Sequence, residues 1–285
     1  MKFAIWVIIG GTLFLLTMSG SAGTFLETFG NFNLQDWEEV NERNAPVGEW
    51  RGVNGELHAE SKDNAIRMLI IKDAAWHDYE VELDVMPLAR HGRGHIVLAA
   101  RVNQTYAVVF AIGNIFWNAP SLIVSGVVLN VPLGRIEGLP LFLARIDKFV
   151  NMELDQLNEV LNGPAREEIQ EDILKEGASM ACTAILPHAF LKTREWHHLK
   201  LRVDQAKFTL SVNGENVLSF ACPFQNFPFK DDLTVGSVGF GLAGYTARFD
   251  NLKITGEEVP NHGNLSVQPQ GKLAVTWTQL KQSGN

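Results

Sequence analysis

The sequence predicts an all-β protein, a two-sheet antiparallel jelly-roll sandwich with a partly helical insertion, and three observations carry this. Apolar and polar residues alternate at period two on both sides of the chain's middle. Turn pairs such as Asn213-Gly214 separate these short runs, and Asn-Gly is a strong hairpin signal. Between 113 and 192 the alternation gives way to an apolar stretch and then, from 147 to about 176, to a helical period, which marks an insertion between sheet strands.

The elements follow in chain order. Lys2, the apolar run Phe3 to Met18 and the small residues Ser19-Gly20-Ser21-Ala22-Gly23 have the order of a secretory leader. The run is shorter than the roughly 20 residues of a membrane span. Residues 1–23 are therefore expected to be a cleaved signal peptide, the alternative being an uncleaved anchor. The mature chain is then secreted or periplasmic, without a stable membrane span. Residues 24–257 are expected to form the sandwich. "IRMLIIKDAAWHDYEVELDVMP" holds two strands, 66–72 and 78–86, and "HIVLAARVNQTYAVVFAIG" a hairpin turning at Asn103-Gln104. In the insertion, Val150, Leu154, Leu157 and Leu161 predict a helix over 147–162. Gly163-Pro164 stops it, and a second helix runs to about residue 176. The apolar start of the insertion is expected to pack on the sandwich, or else to dock a protein partner. "WHHLKLRVDQAKFTLSVNGENVLSF" reads as three strands, with turns at Asp204-Gln205 and Asn213-Gly214. "VGSVGFGLAGYTARFDNLKIT" supplies two more, 237–243 and 245–254, and the polar tail 258–285 docks through Leu273, Val275, Trp277 and Leu280.

Charge and motif content exclude several functions. The net charge of −8 becomes one unit more negative when Lys2 leaves with the leader. With no basic cluster to grip phosphates, nucleic acid is not an expected partner. No CxxC, HExxH or phosphate-cradling glycine loop is present, so nucleotide chemistry and metal-dependent hydrolysis have no motif behind them. Cys182 and Cys222 are the only cysteines, and spacing leaves open whether they pair.

In "HDYEVELDVMP", Glu80, Glu82 and Asp84 fall on one face of a strand and Tyr79, Val81, Leu83 and Val85 on the other. This segment, with "FLETFGNFNLQDWEEV" and "GEWRGVNGELHAE" before it and "REWHHLKLRVDQAKFTLSVNGENVL" and "GSVGFGLAGYTARFDNLKI" after it, resembles the concanavalin A-like lectin and glucanase sandwich. Laminin-G-like modules and the 3-keto-disaccharide hydrolase domain are the members it is most similar to. The resemblance covers most of 24–112 and 194–256. It implies two packed sheets, one concave, with sugars met on the concave face. It also implies a secreted module that recognises a glycan or another extracellular ligand. A sugar hydrolase and a structural or adhesive module are the alternatives.

Specific residues can be weighed on that basis. Retaining glucanases of the fold use Glu-x-Asp-x-Glu, with the catalytic carboxyls about 5–5.5 Å apart. Here the order is Glu80, Glu82, Asp84, which changes the reach of both partners, so a solvated acidic face is the preferred reading. With a two-residue turn at Asn103-Gln104, Arg101 stands opposite Tyr106 as a sugar-binding pair or a packing pair. Trp117 is a candidate platform, or an anchor of the insertion. Trp37, Trp50 and Trp196 fit structural positions. His197 and His198 point to opposite faces, which argues against a shared metal. The resemblance also implies a structural calcium (Ca2+) at Asp250, the Glu27 region and the Asn54-Gly55 turn. The alternative at Asp250 is an Asx cap.

Overall fold

The computed structural model describes residues 22–42, 45–63, 65–72, 74–103, 106–114, 122–130, 135–136, 178–186, 191–221 and 234–263. Residues 1–21 of the expected leader, the two helices expected over 147–176, Trp117, Cys222 and the tail from 264 on lie outside the described residues.

Fifteen strands follow one another among the described residues: β1 (Gly23–Glu27), β2 (Trp37–Glu42), β3 (Glu49–Val53), β4 (Glu56–Ser61), β5 (Arg67–Ile71), β6 (Tyr79–Val102), β7 (Tyr106–Asn114), β8 (Leu122–Asn130), β9 (Arg135–Ile136), β10 (Ala178–Leu186), β11 (His197–Asp204), β12 (Lys207–Val212), β13 (Glu215–Ala221), β14 (Ser237–Gly256) and β15 (His262–Gly263). A 3-10 turn, Leu34–Asp36, sits before β2 and is capped by the Asn33 side chain.

Two long strands organise the molecule. The sequence pattern breaks near residue 90 and again at Gly244, yet β6 and β14 each run on through the break, for 24 and 20 residues. They pair antiparallel along their length, and the register slips between Ala243 and Tyr245. Gly244 has φ +58 there, a left-handed bend that glycine adopts without a Cβ clash. Each strand thereby serves two layers. The first half of β6 and the second half of β14 join β11, β12 and β13 on one side and β1 and β4 on the other. The second half of β6 and the first half of β14 join β7, β8 and β10 on one side and β5 and β2 on the other. The result is the jelly-roll β-sandwich. Rings from the two layers meet inside it: Phe110 on β7 lies 5.8 Å from Phe208 on β12, and Phe240 lies 5.1 Å from Phe249 across the bend of β14.

The alternation places the core as expected. Val81, Leu83 and Val85 of β6 and Leu199, Leu201 and Val203 of β11 are buried, which leaves Glu80, Glu82 and Asp84 on the outer face. Part of the presumed insertion is sheet. β8 pairs with β7, and β10 with β8, extending the second layer at its edge. Its valine- and isoleucine-rich run lacks alternation, so its sequence does not separate strand from packed loop.

A buried arginine ties the loop after β4 to β5. Arg67, 3% exposed, reaches both Asp63 carboxylate oxygens at 2.6 and 2.8 Å and the Pro46 carbonyl at 2.9 Å. The Arg67 hydrogen bond holds the Asp63 pKa below its usual value, against an opposing effect of burial. A depressed folded-state pKa gives stability that is present above the unfolded pKa of about 3.9 and is lost as pH falls through the folded value. Urea unfolding below about pH 4 is therefore expected to show a steeper loss in wild type than in Asp63→Asn. Equal slopes would remove the role assigned to this pair.

Candidate functional site

The outer face of the first layer carries the concentrated polar chemistry of the described residues, and strand register stacks it in rows. His198, Asp84 and Asp250 stand opposite one another across β11, β6 and β14. One row along are Lys200, Glu82 and Lys253; in the other direction Met86 faces Arg248, which in turn faces His58 of β4. Trp196, just before β11, is 40% exposed, and the Arg248 guanidinium lies 5.6 Å over its ring.

The imidazole of His198 is the hub. Its Nδ1 lies 2.8 Å from Asp84 Oδ1 and its Nε2 lies 3.2 Å from Glu82 Oε2. Asn251 Nδ2 donates to the other Asp84 oxygen at 2.8 Å, so Asp84 is held from two sides. Lys253 donates to Glu82 at 2.8 Å, and this contact lowers the Glu82 pKa. Asp250 differs. Burial raises its pKa, and the Glu56 and Asp84 carboxylates push it further up. Arg248 pairs with Glu56 of β4. His197 points the other way, as alternation requires: it is buried, and its Nε2 lies 3.0 Å from the Lys192 carbonyl oxygen, with which it hydrogen-bonds.

The expected residues are placed as follows. Each acid of the Glu80, Glu82, Asp84 row faces a basic side chain, with Lys200 at 2.6 Å from Glu80. Arg101 is not available to a sugar. It is 1% exposed, its backbone N–H donates to the Tyr79 hydroxyl at 2.9 Å, and its guanidinium reaches the Gln205 carbonyl at 3.1 Å. It does not face Tyr106 either, because Ala100 stands opposite Val108, a register one residue longer than a two-residue turn gives. The Tyr106 side chain and Trp117 lie outside the described residues. Asp250 sits where β14 passes from β4 to β1, at a register slip between Asp250 and Lys253. Its Oδ1 accepts the Asn251 N–H at 2.7 Å. Glu27 stands opposite Leu252, its carboxylate accepting the Phe29 N–H at 2.6 Å. Asn54 and Gly55, with φ +54 and +85, make the β3–β4 turn. Among the described residues no group of three or more His, Cys, Asp and Glu side chains is gathered to hold a metal.

Sequence reasoning missed His198, Trp196 and Arg248. Trp196 and His198 are two residues apart, and that spacing at the entry to a strand puts both on one face. Arg248 shares its strand's outer face with Asp250 by the same rule.

A family model described as the 3-keto-alpha-glucoside-1,2-lyase-like domain matches residues 25–255. No curated protein matches the chain. Among solved structures, a non-specific endo-β-1,3(4)-glucanase of family GH16 is similar in fold at TM-score 0.50 and 10% identity, covering 82% of this chain and 90% of that one. The carbohydrate-binding module CBM66 from Bacillus subtilis aligns at TM-score 0.46 and 14% identity, covering 76% of this chain and 94% of that one.

Proposed function

The chain belongs to the 3-keto-alpha-glucoside-1,2-lyase-like domain family, and from that membership we propose that it is an exported carbohydrate-active domain whose His198 face cleaves 3-keto-glucosides by elimination. The observation that carries this reading is the exposed Trp196 ring on the same face as the His198–Asp84 pair. An indole face offers a sugar ring an apolar platform with a polar rim. The carboxylates and lysines beside it suit hydroxyl groups.

The chemistry follows from the ketone. A carbonyl at C3 acidifies the hydrogen on C2, and a general base removes it. The C–H electron pair forms an enolate, then the C1–C2 double bond as the carbonyl re-forms and the C1–O bond breaks. The leaving oxygen takes up a proton, so no oxidant or reductant is consumed. His198 is the base. Asp84, at the shorter distance and held by Asn251, fixes the ring through Nδ1. The longer Nε2 contact to Glu82 is the one a substrate atom displaces, since Glu82 keeps Lys253 as partner. A non-catalytic glycan-recognition role on the same face is the second reading, favoured by the basic side chain that faces each acid of the row.

The test is incubation of the purified protein with an aryl 3-keto-α-glucoside, following aglycone release and the unsaturated keto-sugar product. Product formation is expected. Saturable binding without release selects the recognition reading, and neither binding nor release overturns both.

A structural calcium at Asp250 belongs to the same reading. A divalent cation would relieve the repulsion that Glu56 and Asp84 exert on that carboxylate. At calcium about 100-fold above its dissociation constant, binding adds about 2.7 kcal/mol of stability. Chelation is expected to lower the Tm by several degrees, and Asp250→Ala to abolish that response. An unchanged wild-type melting curve after confirmed metal removal would rule the calcium out.

A further inference from the structure

Beside the His198 rows, the same outer face sinks into a polar depression of about 460 Å³ that the elimination chemistry leaves unused. Its volume falls in the range of about 300–1,000 Å³ typical of small-ligand sites. Its position follows from register. Glu80 faces Arg202, which faces Thr209; Lys200 faces Ser211, which pairs with Asn216 of β13. The depression therefore continues the sheet surface away from Asp84, two strands toward the β13 edge.

Its charge has the opposite balance to the rest of the face. Lys200, Arg202 and Lys207 line it against only two carboxylates, Glu80 and Asp204, in a chain whose net charge is −8. Glu80 is taken by Lys200 at 2.6 Å. Lys207 stands opposite Asp204 in the register, yet Asp204 is engaged by Arg202, at 3.5 Å. The Lys207 ammonium makes no ion pair among the described residues. Neutral side chains also line the depression. Ser211 donates to Asn216 Oδ1 at 2.6 Å, which leaves the Asn216 amide N–H groups for a ligand, and the Thr209 hydroxyl lies 3.2 Å from that of Ser219. The acid-rich part, with Glu82, Asp84, Asp250 and Glu56, lies toward β14 and β4.

We infer that this depression is a second sugar subsite, selecting glycans that carry an anionic substituent (a carboxylate or a sulfate) on a unit next to the one held at His198. The inference rests on the carbohydrate reading of the face and deepens it by naming a substrate class. A carboxylate there meets Lys207 and Arg202 through charge-assisted hydrogen bonds, which are roughly twice as strong as neutral ones. At the acidic end of the face the same group would be repelled, so the charge division also sets the direction in which the chain lies.

The experiment is calorimetric titration of the full protein with matched α- and β-linked glucose trisaccharides and with their C6-carboxylate and C6-sulfate counterparts. One anionic series is expected to bind about tenfold or more tightly than its neutral parent at low salt. That preference is expected to shrink at about 0.5 M salt as screening sets in. It is expected to disappear in Lys207→Ala and in Arg202→Ala, both exposed positions whose loss leaves the core intact. The carboxylate and sulfate arms decide which anion is selected. Equal affinity for neutral and anionic sugars overturns the inference, as does a preference that survives both substitutions. Binding of no trisaccharide overturns it too. Release from the aryl 3-keto-α-glucoside, which carries no anionic group, is measured beside these titrations and reports separately on the His198 reading.

Discussion

His198→Ala is expected to lower kcat/KM on a 3-keto-glucoside by about 10²–10⁴-fold, the usual contribution of a positioned general base, while the Tm moves by only a few degrees. The two halves of that expectation come from different atoms. The imidazole is 43% exposed, and even counted as surface ion pairs its carboxylate contacts would contribute only about 0–1 kcal/mol each. After truncation Asp84 keeps its hydrogen bond from Asn251 and Glu82 keeps Lys253, so neither acid is stranded. The backbone N–H of His198 still donates to Asn213 Oδ1 at 2.9 Å, which keeps the strand entry in place. The rate, in contrast, loses the imidazole that Asp84 holds in place to take the proton. Asp84→Asn tests the positioning role. It leaves the ring but removes the charge that fixes its tautomer, so kcat is expected to fall more than KM rises, with a shifted pH–rate profile. A His198→Ala protein with wild-type turnover would move the chemistry to other residues.

Much of the fold was legible in the sequence because period-two alternation is a local property. Val81, Leu83 and Val85 announce their burial without knowledge of their neighbours, and Asn213-Gly214 announces its turn. What crosses the sheet was harder to read. The row His198–Asp84–Asp250 depends on the register of three strands from distant parts of the chain, and a slip of one residue would bring different side chains together. Arg101 shows the consequence. One extra residue in the turn after β6 was enough to move it away from Tyr106, and its side chain closes a buried clasp with Gln205 and Asp78. Trp37, Trp50 and Trp196 all fit structural positions in the sequence, and Trp37 and Trp50 do fill the core, at 6% and 9% exposure. Only its position ahead of an alternating strand distinguishes Trp196 from them. The unbroken length of β6 and β14 was hidden for another reason, since bends at glycine-rich points look like strand ends in sequence.

Phe240→Ala is expected to cost about 3–5 kcal/mol, the range for deleting a buried aromatic side chain, and to be among the most destabilising single truncations in the core. Phe240 is fully buried at the bend of β14, with ring centroids of Phe249, Trp37, Phe29 and Trp50 at 5.1, 5.5, 5.9 and 6.5 Å. Two of these contacts are near-perpendicular, at 85° and 84°, the edge-to-face geometry that adds about 0.5–1.5 kcal/mol per pair beyond area burial. The surroundings have little freedom to close over the cavity. Gly239 and Gly241 flank the ring where a Cβ would meet Ile70 Cγ2 at 2.6 Å and the Arg67 carbonyl at 1.9 Å, so β14 already lies as near β5 as its backbone permits. A cavity that cannot collapse keeps its full cost, which places the loss toward the upper end of the range. Phe240→Leu retains most of the volume and is expected to lose about half as much. Urea unfolding of the two variants against wild type measures both, with an unchanged m-value required for the comparison. Because β14 carries Phe240 on one side of its bend and Arg248 and Asp250 on the other, a truncated protein that still folds is also expected to bind its sugar more weakly. A Phe240→Ala loss below about 1.5 kcal/mol would mean that the bend is held by something other than this ring cluster.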